Sequence, residues 1–119
     1  MEEQSYILVQ ATHRRGLAQR KCAVIKELFA SARLVPHGPV LWRMYIPNTE
    51  ARVYALVEDG EVVYIGQDPH AAAQRLQDPY GLQDQGLWAY WASTDDPSGA
   101  EAKMLRRFSR KFNQLPRGN

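Results

Sequence analysis

The sequence predicts an α+β fold, a small β-sheet flanked by helices, and three observations carry that expectation. Residues 52–65 set two short runs of β-formers on either side of an Asp-Gly pair, which tolerates the positive φ angles of a type I′ hairpin turn. Residues 17–34 and 98–113 place apolar side chains at helical spacing, Leu17, Val24, Ile25, Leu28, Phe29 and Ala32 in the first and Ala102, Leu105, Phe108 and Phe112 in the second. The other apolar runs, 5–11, 40–46 and 86–94, have the length of strands, and none approaches the 18 or so residues of a membrane span.

In chain order, "SYILVQA" (5–11) reads as a strand. The helix over 17–34 follows and is ended by "PHGP" (36–39). "VLWRMYI" (40–46) reads as a second strand and "PNTE" (47–50) as a turn. The hairpin comes next, with its return strand at 62–65 closed by Gly66. Asp68 can cap a helix with Pro69 at its first position, and that helix is expected over 69–77. "DPYG" stops that helix, 86–94 is a strand, and the helix over 98–113 leads into "QLPRGN". The chain of 119 residues suits a single domain. Its core, 49–119, runs β-β-α-β-α, and residues 1–48 form an N-terminal β-α-β extension.

Charge is unevenly distributed although the net value is only +2. Residues 13–33 carry six bases against Glu27 alone, residues 102–119 carry six bases and no acid, and residues 48–101 carry ten acids against Arg52 and Arg75. Two basic segments on one face make a footprint for a polyanion such as DNA. Arg20, Lys26, Lys103, Arg106, Arg107 and Arg110 are the candidate contacts. Two solvated helix faces account for the same pattern without a partner. One cysteine, Cys22, excludes an intramolecular disulfide, and the acidic start of the chain lacks the order of a signal peptide; both fit a cytoplasmic protein. His13, His37 and His70 lack metal-ligand spacing, and there is no Gly-rich phosphate loop.

The hairpin raises a narrower question. Tyr54 and Tyr64 have the same parity on a hairpin with a two-residue turn, and both are expected on one face. Cross-strand aromatic packing is one reason for such a pair, an active site another.

The pair does not stand alone. "RVYALVEDGEVVYIG", an arginine in the following helix, a glutamate opening the last helix and a terminal "LPRGN" together resemble the GIY-YIG endonuclease superfamily over roughly residues 50–119. The resemblance implies a divalent-metal-dependent DNA endonuclease. Tyr54 and Tyr64 match the two motif tyrosines, which help deprotonate the attacking water. Arg75 matches the arginine that binds the scissile phosphate, and Glu101 the single metal-binding glutamate, for Mg²⁺ or Mn²⁺. Asn119 matches the late asparagine, with Asn113 as a second candidate. The residue types suit the chemistry. A guanidinium offers a planar fork to phosphate oxygens, and Mg²⁺ needs only one or two carboxylates when phosphate and water complete its shell. The sequence departs from the family at Arg52, where the first motif has glycine, and at Gln67 and Asp68, where many members carry a base. These departures leave two alternatives, a catalytically decayed nucleic-acid-binding protein of the same fold and a non-enzymatic interaction domain.

Overall fold

The structure, a computed structural model, describes residues 23–45, 50–68 and 86–119. The expected strand at 5–11, the first residues of the helix at 17–34, most of the turn at 47–50 and the helix at 69–77 lie outside them, as do Arg20 and Arg75.

Helix α1 covers residues 23–31. Ile25, Leu28 and Phe29 are its buried stripe, as the spacing predicts, and Val24 and Ala32 flank it. The helix is not ended by the Pro-Gly stretch. It ends earlier, in a Schellman turn: Arg33 takes a left-handed φ of 60°, its N–H donates to Ala30 O, and the N–H of Leu34 reaches back to Phe29 O.

Strand β1 is His37–Leu41, and Trp42–Met44 is a 3₁₀ turn. The predicted strand at 40–46 therefore begins three residues earlier and stops five residues sooner. Pro39 has no N–H for a ladder, and β1 is an edge strand of the described sheet, where that loss is tolerated. Strands β2 (Arg52–Glu58) and β3 (Glu61–Asp68) form the predicted hairpin, with Asp59 and Gly60 both at positive φ. β3 does not stop at Gly66 but continues through it to Asp68. Strand β4 is Trp88–Ser93. Helix α2, Pro97–Phe112, starts one residue before the predicted span and stops one residue short of it, capped by Asp96, whose Oδ1 accepts the Gly99 N–H at 3.0 Å.

The four strands form one antiparallel sheet in the order β1-β4-β2-β3. Its two faces differ. Val53, Ala55, Val57, Val62, Ile65, Tyr90 and Ala92 meet α1 and α2, whose Ala100, Met104 and Phe108 complete an aliphatic core. The other face carries Tyr54, Leu56, Val63 and Ala89 with Trp42, Tyr45 and Leu87, an aromatic core. At about 1.5–3 kcal/mol for each large side chain taken from water, both faces contribute to stability.

The register corrects the reason the two tyrosines share a face. With a two-residue turn, Glu58 pairs with Glu61 and Val57 with Val62. A regular ladder would continue Leu56 to Val63 and Ala55 to Tyr64, so equal parity would put Tyr54 and Tyr64 on opposite faces. The ladder instead shifts between Leu56 and Val57, and Leu56 pairs with Tyr64 and Tyr54 with Gly66. Val63 is the extra residue of a β-bulge. The bulge, not the parity, brings the tyrosines together.

Candidate active site

Four consecutive residues of β3, Tyr64–Ile65–Gly66–Gln67, organise the site. Tyr64 lies beside Tyr54, with ring centroids 6.1 Å apart. Gly66 sits beneath both rings: a Cβ there would meet Tyr64 Cε2 at 2.6 Å and the Tyr54 hydroxyl at 2.7 Å. Only a residue without a side chain lets the rings close over the strand. Ile65 holds Asn119 through its backbone, its N–H donating to Asn119 Oδ1 at 2.9 Å and its carbonyl accepting from Nδ2 at 2.8 Å. Gln67 holds Glu101, its Nε2 donating to Oε1 at 2.7 Å, and makes a longer hydrogen bond with Ser98 Oγ.

Three of the five sequence-predicted residues, Tyr54, Glu101 and Asn119, thus reach the tetrapeptide that carries a fourth, Tyr64, but from three directions. The tyrosines lie on the aromatic face. Gln67 pairs with Val53, which belongs to the helix face, so Glu101 lies on that side of the sheet. Asn119 lies along the outer edge of β3, where the Gly118 N–H also donates to Val63 O and Arg117 pairs with Glu58. Arg75 is outside the described residues. Asn113, the other asparagine considered, is the left-handed C-cap of α2, with φ 60°, a position that favours asparagine after glycine.

Accessibility separates the two tyrosines. Tyr54 is 2% exposed, packed against Trp42 at 5.3 Å and Tyr45 at 6.0 Å, whereas Tyr64 is partly buried. For a metal, Glu101 supplies one carboxylate. Among the described residues no three His, Cys, Asp or Glu side chains gather where they could hold an ion. A closed protein cage is not what these residues offer; an ion that keeps several of its waters, as Mg²⁺ does, needs no more than one or two carboxylates.

Sequence reasoning did not foresee what Arg52 and Asp68 do. These two of the three positions that depart from the motif pattern are cross-strand partners. The Arg52 guanidinium lies over the rings of Tyr45 at 5.7 Å and Trp91 at 5.5 Å, and the Tyr45 hydroxyl donates to Asp68 Oδ2 at 2.7 Å. Burial, reinforced by the Asp68 carboxylate and opposed by Arg52, pushes the Tyr45 hydroxyl above its ordinary range. The pairing was out of reach without the bulge, since a regular hairpin sets Arg52 opposite Gln67.

Of the candidate nucleic-acid contacts, Lys26 is exposed on α1, and Lys103, Arg106, Arg107 and Arg110 are exposed on α2; Arg20 is outside the described residues. No helix among the described residues is long and apolar enough to cross a membrane. No protein-family model matches the chain, and no curated protein or solved structure is significantly similar to it.

Proposed function

We propose that this protein is a divalent-metal-dependent DNA endonuclease of the GIY-YIG type, working at the outer edge of β3. The observation that carries the reading is the convergence of Tyr54, Glu101 and Asn119, from three separate stretches of chain, on Tyr64–Gln67. A second support is that Gln67, at the position where many family members have a base, touches Glu101, at the position of the metal carboxylate.

In this reading Glu101 holds Mg²⁺ or Mn²⁺, which when bound supplies charge neutralisation at the phosphate. Arg75 holds the scissile phosphate through its planar guanidinium. Tyr64, the more accessible tyrosine, accepts a hydrogen bond from the attacking water and orients it; a phenol with an ordinary pKa of about 10 is a weak base near neutrality. Tyr54 acts through Tyr64, fixing its ring. Asn119 fixes the backbone of Ile65 and so the strand that presents Tyr64. Water forms the new P–O bond as the P–O bond to the leaving sugar oxygen breaks, the water's proton passing to solvent and the leaving oxygen taking one from solvent.

Two observations favour a second reading, nucleic-acid binding without hydrolysis. The sheet lies between Glu101 and the tyrosines, and Gln67 already occupies one oxygen of the carboxylate. Cleavage of plasmid and branched DNA in Mg²⁺ or Mn²⁺ separates the two. The endonuclease reading expects wild type to cut and Glu101→Ala to lose about 10²–10³ in rate while binding DNA as before. Binding by both proteins with cutting by neither selects the second reading.

A further inference from the structure

We propose that the groove between α1 and α2 is a seat for a nucleic-acid phosphate backbone, separate from the β3 edge. The proposal rests on the reading of nucleic acid as partner, but not on hydrolysis. The groove is open, has a volume of about 570 Å³, and is lined by Lys103, Arg106, Arg107 and Arg110 of α2 and by Glu27 and Ser31 of α1. That volume takes a short run of backbone, not a whole duplex, so a duplex would lie across it with one strand seated.

The stripe is built by helix geometry. Positions 103, 106, 107 and 110 are spaced by three and four, so they share one side of α2. At about 100° per residue, the stripe centres roughly 110° to one side of the buried Ala100–Met104–Phe108 line, and Glu101 lies roughly 60° to the other. Groove and candidate active site therefore occupy nearly opposite flanks of the same helix. A backbone in the groove does not reach Glu101, and a nucleic acid that touches both sites must wrap around α2 or branch.

Charge supports the assignment. All four cations of the lining come from the basic C-terminal segment, and the one acid among the described lining residues, Glu27, is drawn to Lys111 at 3.1 Å and Arg107 at 3.9 Å. The Ser31 hydroxyl donates to Leu28 O, so it leaves the cations to dominate the lining. Four exposed side chains that each carry a full positive charge match the phosphate spacing of no particular sequence, which predicts binding that depends on salt and not on bases.

The test is anisotropy of a short labelled duplex with EDTA present, across a range of KCl concentrations. Lys103→Gln/Arg106→Gln/Arg110→Gln, checked for folding by thermal melting, should weaken binding by an order of magnitude or more. It should also lower the salt slope by about 0.9 for each phosphate that the variant no longer neutralises. Glu27→Gln should tighten binding a few-fold by freeing Lys111 and Arg107. Arg106→Gln should weaken binding more than Arg43→Gln, although each removes one exposed charge. Equal effects of those two single variants, or wild-type affinity in the triple variant, would overturn the groove. Salt-dependent binding with these variant effects and no cleavage would leave the groove standing and remove the endonuclease reading.

Discussion

Gly66 shows how one residue holds the candidate site together. Its missing side chain is the space into which the Tyr54 and Tyr64 rings close, and an added methyl would sit closer to them than real packing permits. Gly66→Ala is expected to cost about 1–3 kcal/mol and to displace at least one ring, read as a lowered melting temperature with a changed near-ultraviolet aromatic signal. Tyr45 belongs to the same face and carries a pH dependence. Its hydroxyl titrates higher in the folded protein than in the unfolded chain, so the folded state holds the proton more tightly. The stability this provides is complete below the ordinary tyrosine value of about 10 and is lost as pH rises above it. Denaturant titrations on the alkaline side should show that loss, and Tyr45→Phe should reduce it. At neutral pH the same variant leaves Asp68 without this donor and should cost about 1–3 kcal/mol.

At the scale of elements, the ends of the helices make the sharpest predictions. Arg33 sits in the left-handed region that glycine occupies without penalty. Arg33→Gly should therefore raise stability by roughly 1 kcal/mol, measured by denaturant unfolding. Asp96→Ala removes the cap of α2 and should lower it by about 1 kcal/mol. The elements also show what was legible in the sequence. The Asp-Gly turn announced the hairpin, and the spacing of Ile25, Leu28 and Phe29 announced the buried stripe of α1, because local chemistry decides both. The bulge at Val63 was not legible. It is imposed by packing, which places Val63 and Tyr64 together on the aromatic face, and no turn residue marks it. The shortened strand at His37–Leu41 has a similar cause: after the Trp42 N–H makes a last bond to Leu87 O, the chain turns and Trp42 and Tyr45 stack on the aromatic face, with centroids 5.4 Å apart. Tertiary burial overrides their β propensity there. The resemblance named Tyr54, Tyr64, Arg75, Glu101 and Asn119, and of the described ones Tyr54, Glu101 and Asn119 touch the stretch of β3 that carries Tyr64. Their arrangement around both faces and the edge of β3 was not legible, because register and face depend on the bulge.

At the scale of the whole molecule, the two faces of the sheet carry different groups. The aliphatic face fixes α1 and α2, which together form the basic groove. The aromatic face and the outer edge of β3 hold the tyrosines and the asparagine, and Glu101 approaches from the helix side through Gln67. The claim that matters most is that these groups act as one phosphodiesterase site. Single-turnover cleavage of a labelled branched DNA in Mg²⁺, with binding followed in parallel, tests it most directly. If the groups form one site, wild type cuts, Glu101→Ala binds equally well, and Glu101→Ala cuts slower by about 10²–10³. Wild type cutting no faster than Glu101→Ala, with binding intact in both, would contradict it.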